Sequence, residues 1–266
     1  MSMDTTSLTV IGSGIKFMSH LTQEALAYIE SSDKVLYLVN EPAMKAWIIK
    51  KKADHAENLE DIYHTCRYRK QSYQLITQRI LTVLNQHCHV CVVMYGHPTV
   101  LAESALEAVK VAKKQGFFAQ ILPGISSEDC LYADLLIDPA SSGCQSFDAT
   151  DFLIYRRKFD PSSHLILWQP NMIGALVHAN HYDGQLGLTT LQNYLENFYE
   201  KKHGLILYEA ARYPRLEPVI ERISLNVLNQ AKPSGISTLY IPPGYHKKPD
   251  LVMLAQLQIS LNAPIL

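Results

Sequence analysis

The chain has 266 residues, of which 47% are hydrophobic and 18% are charged, a composition typical of a globular protein with a sizeable core. Its formal net charge of -1 argues against a dedicated nucleic-acid binder, because such proteins normally carry a basic excess. No apolar run approaches the ~20 residues that cross a bilayer, and residues 1–6 do not begin a secretory signal, so we predict neither membrane association nor secretion.

Strands and helices alternate in the first half of the chain. Apolar, β-branched runs that end at turns predict buried strands, and apolar residues three and four apart predict helices. Thr22 is the predicted N-cap of the first helix. The alternation predicts an α/β fold with a mainly parallel sheet. The predicted elements are a strand at 8–11, a helix through 21–29, a strand at 35–39, helices at 42–52 and 71–86, a strand at 90–94, a helix at 102–116 and a strand at 117–121.

The second half contains more strands than helices, which favours a mixed sheet. Its least regular stretches are predicted within 140–163. We place the domain boundary after Gly124, so that an N-terminal α/β domain spans 1–124 and a C-terminal α/β domain spans 125–266. The predicted elements are strands at 164–168, 204–208, 219–223 and 236–241 and helices at about 188–201 and 251–257.

Gly12-Ser-Gly14 directly follows the first predicted strand. A dinucleotide-binding fingerprint would need a third glycine where this chain has Phe17. A tight strand-to-helix turn is therefore favoured over a nicotinamide cofactor site.

Cys88-His-Val-Cys91, with His87 beside it, could indicate zinc. Cysteines three apart on a strand point to opposite faces, and no second ligand pair stands at zinc-site spacing. We therefore predict buried apolar cysteines and no metal. The chain's five cysteines are typical of reduced thiols in a cytoplasmic protein.

The stretch from Tyr63 to Tyr73 is rich in basic and tyrosine side chains. A solvated basic helix end explains this pattern, and on the pattern alone we favour that interpretation. The alternative concerns Arg69 and Tyr73, which are four residues apart and share one face if helical. A guanidinium beside a phenol favours the phenolate, which would make Tyr73 a candidate base.

Two turns follow buried strands and carry the most specific sequences, Tyr95-Gly-His-Pro98 and the run at 122–130. In open α/β sheets ligands bind outside the carboxyl ends of such strands. Together with other segments, these turns resemble the tetrapyrrole-methylase-like fold of class III S-adenosylmethionine methyltransferases, which has two α/β domains with the cofactor in the interdomain cleft. Within that fold the chain is similar to the peptide backbone α-N-methyltransferases of borosin biosynthesis, a class of ribosomally made peptides. The resemblance covers about 8–243 and lies in Ile11-Gly-Ser-Gly-Ile15, Ala27-Tyr-Ile-Glu30, the Arg69 and Tyr73 pair, the two turns, Ile137-Asp-Pro139, Leu167-Trp-Gln169 and the run 236–243.

The resemblance implies S-adenosylmethionine as cofactor and S-adenosylhomocysteine as product. Thr99 stands where the family usually has glycine, and Ser127 where alanine is common. Strand-end backbone and small polar side chains can supply the donors and acceptors that the cofactor's carboxylate and ribose need. On the matching positions, the implied cofactor contacts are Tyr95, His97, Val100 and Ser127 from the first domain and Gln169, Ala210, Ser237 and Thr238 from the second.

The resemblance also implies a catalytic set and changes the interpretation of Tyr73. An amide nitrogen is a poor nucleophile because its lone pair is delocalised into the carbonyl group. We expect Tyr73 to act as base, Arg69 to activate it, and Tyr63 and Tyr95 to orient the amide as hydrogen-bond donors.

Fused members of this family continue into a clasp region and a C-terminal substrate peptide, whereas this sequence stops at Leu266. We therefore expect iterative methylation of a separate precursor peptide in trans. Related split enzymes imply a homodimer that binds two precursor chains as a heterotetramer. Two alternatives stay open: a methyltransferase of the same fold acting on a tetrapyrrole or another small molecule, and a catalytically idle homologue that only binds peptide.

Overall fold

The structure is a computed structural model that describes residues 6–175 and 184–260, with only the backbone described at 63 and 64. The chain divides into two compact units. Within the described ranges, the first unit contains residues 6–134, 175 and 210–218, and the second contains 135–174, 184–209 and 219–260. No helix in these ranges is long and apolar enough to span a bilayer.

The first unit is a parallel sheet with helices between its strands. The strands lie in the order β3-β2-β4-β1-β5, and each neighbouring pair is parallel, so the predicted α/β alternation is confirmed. The elements are β1 (Ser7–Gly12), α1 (Gln23–Ser31), β2 (Lys34–Leu38), α2 (Pro42–Lys52), β3 (Ala56–Asn58), α3 (Asp61–Thr65), α4 (Arg69–Leu84), β4 (His89–Met94), α5 (Glu103–Lys114), β5 (Phe118–Ile121) and α6 (Ser127–Leu135).

Helices cover both faces of this sheet, which explains why its strands read as continuous apolar runs. Successive strand residues point to opposite faces. Thus Leu8 and Val10 pack with Ile80 of α4 on one face, whereas Ile11 packs with Ile29 of α1 on the other. All five side chains are fully buried.

The helix starts in the first unit follow local sequence signals. The hydroxyl of Thr22 accepts a hydrogen bond from the amide of Ala25 at 3.0 Å, so the predicted cap of α1 is confirmed. Glu41 caps α2 in the same way, and Pro42 occupies the first helical position, where its missing N–H costs nothing.

The second unit is built on a mixed sheet in the order β6-β7-β10-β8-β9. The β6–β7 pair is parallel and the other pairs are antiparallel, so the predicted mixed sheet is confirmed; β9 lies at one end of this order. Phe152, Leu167, Leu191 and Leu239 are fully buried in its core. The elements are β6 (Cys144–Asp148), α7 (Ala149–Ile154), β7 (His164–Trp168), α8 (Gln185–Leu195), β8 (Gly204–Glu209), β9 (Val219–Ser224), β10 (Thr238–Ile241) and α9 (Leu251–Gln256).

The structure departs from the sequence predictions in one region above all. Residues 140–163, expected to be the least regular, contain β6 and α7. The sequence of β6 is polar, which hides it from a search for buried strands, and Asp148 caps α7 by accepting from the amides of Thr150 and Asp151 at 2.9 Å each.

The two compact units are not separated at one point of the chain, as the predicted domain boundary would have it. The sequence boundary follows Gly124, whereas the first unit extends through Asp134 and includes residues 210–218. This second stretch is tied to the first unit by backbone, since the amide of Phe17 donates to the carbonyl of Arg212 at 2.8 Å.

Candidate functional site

Glycines bring three strand ends together at the carboxyl edge of the first sheet. β1, β4 and β5 end beside one another: Gly12 is the last residue of β1, and Gly96 and Gly124 lie in the loops after β4 and β5. A Cβ atom on Gly12 would lie 2.2 Å from the carbonyl oxygen of Gly96 and 3.2 Å from Cα of Gly124. The end of β1 and the loops after β4 and β5 therefore pack backbone against backbone.

The loops after β1 and β4 are also joined by hydrogen bonds. The amide of Gly96 donates to the carbonyl of Gly14 at 3.2 Å, the reverse bond is 3.3 Å, and both glycines have left-handed backbone. The amide of Ser13 donates to the carbonyl of Met94 at 2.7 Å. The tight turn predicted at Gly12-Ser-Gly14 is confirmed, but α1 begins only at Gln23, so this turn does not open directly into a helix as a dinucleotide fingerprint would.

His97 is held in one tautomer by the turn after β4. The backbone amide of Thr99 donates to Nδ1 of His97 at 3.2 Å, and the Thr99 hydroxyl lies 2.9 Å from the same nitrogen. A backbone N–H can only donate, so Nδ1 is the acceptor and the neutral ring carries its proton on Nε2. The amide of Val100 closes the turn on the carbonyl of His97 at 3.1 Å. The imidazole can thus donate from Nε2.

Tyr95 is half-buried at the same edge, and its amide donates to the carbonyl of Leu38 at the end of β2, at 3.1 Å. Burial raises the pKa of the Tyr95 phenol to about 12; Arg212 opposes this rise, while Cys130 and Glu41 add to it. At neutral pH the phenol therefore keeps its proton and can donate a hydrogen bond. This protonation state suits the donor role expected of Tyr95.

Ser127 is the first residue of α6, at the end of the loop that follows β5. Its neighbour Ser126 fixes the helix start, because the amide and hydroxyl of Ser126 both donate to Oδ2 of Asp129 at 2.7 Å. The amide of Asp129 returns a bond to the Ser126 hydroxyl at 3.2 Å. This reciprocal cap, which the sequence analysis missed, holds Ser127 on a defined backbone.

Arg69 and Tyr73 lie in the first turns of α4, one turn apart, and both are half-buried. Because α4 leads into the parallel strand β4, its N-terminus lies toward the carboxyl edge of the sheet. The Thr77 hydroxyl ties this end of α4 to the start of α5, bonding the carbonyls of Tyr73 and Ser104 at 3.0 Å each. Tyr63 belongs to α3, but its side chain lies outside the described part of the structure.

The basic stretch before α4 divides into two kinds of side chain. Arg67, Tyr68 and Lys70 are exposed, and the guanidinium of Arg67 lies 5.6 Å from the centre of the Tyr68 ring. These residues fit a solvated helix end. Arg69 and Tyr73 differ from these residues, since both side chains are half-buried.

In the second unit, Gln169, Ser237 and Thr238 lie at one edge of the mixed sheet. Gln169 directly follows β7, with φ of 54°, and Thr238 at the start of β10 pairs with the last residue of β7. Glu209, at the end of β8, accepts from the hydroxyls of Ser234 and Ser237 at 2.5 Å each. Sequence reasoning missed Glu209, although it stands one residue past a predicted strand.

Ala210 begins the stretch of the second half that belongs to the first unit. From the sequence, Ala210 is expected in the C-terminal domain with Gln169, Ser237 and Thr238. The structure therefore separates Ala210 from those three by unit.

Among the described residues, no cluster of three or more His, Cys, Asp or Glu side chains is arranged to hold a metal ion. Cys91 is buried in β4, and burial raises the pKa of its thiol to about 12, so the prediction of a buried apolar cysteine is confirmed there. The same prediction is wrong for Cys88, which precedes β4 and is exposed.

The residues of the first unit fit a cofactor with a carboxylate and hydroxyl groups. The edge offers a phenol donor from Tyr95 and an imidazole donor from His97. The glycine contacts hold the loops that carry these donors against one another.

Comparison with known proteins assigns this architecture. The family model described as Tetrapyrrole (Corrin/Porphyrin) Methylases matches residues 7–166. The chain is 37% identical over 259 residues, 95% of its length, to the methyltransferase/ribosomally synthesized cyclic peptide gymnopeptides precursor of Gymnopus fusipes. It is 38% identical over 242 residues, 89% of its length, to the methyltransferase/ribosomally synthesized type I borosin cyclic peptide precursor of Coprinopsis marcescibilis. The chain spans 61% and 62% of the lengths of these two relatives.

Solved structures agree on the fold. The crystal structure of uroporphyrin-III-C-methyltransferase from Thermus thermophilus superposes with a TM-score of 0.62 over 97% of this chain and 99% of that chain, at 16% identity. The resemblance to borosin methyltransferases and the tetrapyrrole-methylase-like fold predicted from the motifs are thus confirmed. With the family model matching more than half of its residues, the chain belongs to the tetrapyrrole methylase family.

Proposed function

We propose that this chain is an S-adenosylmethionine-dependent methyltransferase that methylates backbone amides of a ribosomally made borosin precursor peptide. The observation that carries the proposal is the half-buried Arg69 and Tyr73 pair on one face of α4, in a chain similar to methyltransferase/peptide-precursor relatives. A methylase acting on a small molecule would not need a base paired with an arginine at this place.

We propose the cofactor contacts that the sequence resemblance implies. The donor at Nε2 of His97 suits a carboxylate or a ribose hydroxyl of the cofactor. We propose that the cofactor lies between the two domains. The full proposed set is Tyr95, His97, Val100 and Ser127 with Gln169, Ala210, Ser237 and Thr238.

When bound, S-adenosylmethionine supplies an electrophilic methyl group. In the proposed chemistry Tyr73, as phenolate, accepts the proton of the substrate amide, so that the nitrogen lone pair becomes available. Arg69 stabilises that phenolate by its positive charge. Tyr95, which keeps its own proton, donates to the amide oxygen, where negative charge develops as the proton leaves; Tyr63 is the second proposed donor.

The proposal includes a peptide partner and an assembly. The relatives' names join a methyltransferase and a peptide precursor, which supports a peptide as substrate here. We propose that the precursor is a separate chain, methylated iteratively, and that a homodimer binds two such chains. Sedimentation equilibrium at micromolar concentration tests the dimer, and a monomer there would contradict it.

The decisive experiment is co-expression of this chain with a candidate precursor peptide from a neighbouring gene, followed by intact mass spectrometry. We expect gains in steps of one methyl group, mapped to backbone nitrogens by fragmentation. Tyr73→Phe should abolish the gains, whereas Tyr68→Phe should keep them, because Tyr68 is an exposed tyrosine of the same segment.

Three results would contradict parts of the proposal. Undiminished methylation by Tyr73→Phe would reject the assignment of Tyr73 as the base. Methyl groups on this chain itself would reject the separate precursor. An unmodified peptide, with S-adenosylhomocysteine bound in calorimetry, would favour the small-molecule methylase.

A further inference from the structure

Residues 210–218, here called the return segment, are anchored on a buried carboxylate of the first unit. Glu41 is 2% exposed. One of its oxygens accepts from the amide of Ala43 at 3.0 Å and from the hydroxyl of Tyr213, and the other accepts from the amide of Met44 at 2.6 Å. A buried carboxylate is costly unless its oxygens are hydrogen-bonded, so this arrangement holds the carboxylate and its donors together.

Ionisation of Glu41 strengthens the anchor. Burial raises the pKa of the Glu41 carboxyl, but the Tyr213 hydroxyl, the two helix amides and the charge of Arg212 together hold it below its usual value. Hydrogen bonds to an ionised acceptor are stronger than neutral ones. Tyr213 is therefore joined to Glu41 by a charge-assisted bond.

A second anchor joins the return segment to the loop after β1. The amide of Phe17 donates to the carbonyl of Arg212 at 2.8 Å. The rings of Phe17 and Tyr213 meet edge to face, with centroids 6.5 Å apart. The return segment thus contacts the loops that follow both β1 and β2.

These two contacts define a path past Tyr95. In the sheet order β4 lies between β2 and β1, so a segment that touches the loops after β2 and β1 passes the carboxyl end of β4. Tyr95 is the first residue after β4, and its amide is bonded to the last residue of β2. The charges of Glu41 and Arg212 both act on the Tyr95 phenol, as expected for groups gathered at one strand end.

We propose that Glu41 is a positioning residue that holds the return segment, through Tyr213, across the end of β4 and thereby fixes the orientation of the Tyr95 phenol. The inference rests on the proposed function, in which Tyr95 donates to the substrate amide. It adds Glu41 and Tyr213 to the residues on which methyl transfer depends, although neither is placed at the reacting atoms.

The test uses Tyr213→Phe, which removes only the hydroxyl that donates to Glu41. Tyr28→Phe is the control, because it removes a tyrosine hydroxyl of the same unit that accepts from the Gln120 side-chain amide at 2.8 Å and not one that bonds Glu41. Glu41→Gln is the second variant, since it keeps an oxygen acceptor for the start of α2 while removing the charge.

The first readout is hydrogen exchange of the Phe17 amide, measured by NMR on the full chain without substrate. We expect exchange at least tenfold faster in Tyr213→Phe and in Glu41→Gln and unchanged in Tyr28→Phe. The second readout is peptide methylation under saturating substrate. We expect kcat to fall about tenfold in both variants, with the KM for peptide changing less than threefold, because the proposed change is in the orientation of a donor and not in peptide binding.

Unchanged exchange of the Phe17 amide in both variants would reject the claim that Glu41 holds the return segment, for any substrate. Faster exchange with wild-type kcat would overturn the positioning role. The exchange measurement needs no substrate, so it tests the bond between Tyr213 and Glu41 independently of the proposed function. A wrong proposed function would instead show as a peptide that the wild-type chain does not methylate.

Discussion

Replacing Gly12 by alanine should disrupt the carboxyl edge of the first sheet. The added Cβ would lie 2.2 Å from the carbonyl oxygen of Gly96 and 2.9 Å from Cδ of Pro98. Ordinary contact begins at about 3.5 Å, so the loops would have to separate by roughly 1 Å. Both neighbours belong to backbone or to a proline ring, and neither can rotate away.

That separation removes specific interactions, which set the size of the effect. The bond from Ser13 to the Met94 carbonyl is 2.7 Å long and the two bonds between Gly14 and Gly96 are 3.2 and 3.3 Å, so a shift of 1 Å breaks them. Each such bond is worth about 0.5–1.5 kcal/mol, and overpacking adds about 1–3 kcal/mol. Allowing for partial relaxation, we expect a loss of about 3 kcal/mol, or a melting temperature lower by about 6–12 °C.

Thermal unfolding followed by circular dichroism measures this loss. Gly204→Ala is the control, because a Cβ atom there meets nothing within 4 Å, and it should change stability by less than about 0.5 kcal/mol. A Gly12→Ala chain that melts within about 2 °C of the wild type would refute the reasoning, since it would mean that the loops separate at little cost.

Two further predictions concern single contacts. Thr99→Val removes the hydroxyl beside Nδ1 of His97 and should weaken the binding of S-adenosylhomocysteine, measured by calorimetry, about two- to tenfold. The control variant Thr82→Val should bind with wild-type affinity. Equal affinities of Thr99→Val and the wild type would contradict a contact between His97 and the cofactor. The Arg79 guanidinium donates to both oxygens of Glu57, at 2.5 and 2.8 Å, and lowers the pKa of that carboxyl. The ion pair therefore stabilises the fold above pH ~4.3, and this stabilisation is lost as pH falls through the lowered pKa of Glu57. Glu57→Gln should therefore be less stable than wild type in urea at pH 7, and the difference should shrink as pH falls through the lowered pKa. A difference that is independent of pH would reject this prediction.

Much of the fold could be predicted because the buried strands are self-evident in the sequence. Val90 to Met94 is apolar on both faces, as strands covered by helices on both sides must be. Strand β6 could not be predicted, because it is polar and only partly buried and owes its conformation to pairing with β7. Sequence patterns identify strands by their buried apolar residues, and β6 has few of these.

The candidate site shows the same limit. Tyr95 and His97 could be found because they follow a recognisable strand at the edge where ligands bind. The role of Glu41 could not be predicted, because its partner Tyr213 is 172 positions away and the sequence around either residue does not indicate the contact. Local periodicity carries no information about which distant segments meet, and the return segment is defined only by such a meeting.

The position of β9 at one end of the second sheet bears on how this protein behaves in concentrated solution. An outer strand with unpaired backbone groups is a template on which other chains can add and aggregate. β9 carries Glu221 and Arg222 side by side, both exposed. Charged side chains on an outer strand discourage such growth, so replacing both residues with valine should lower the protein concentration at which precipitation begins.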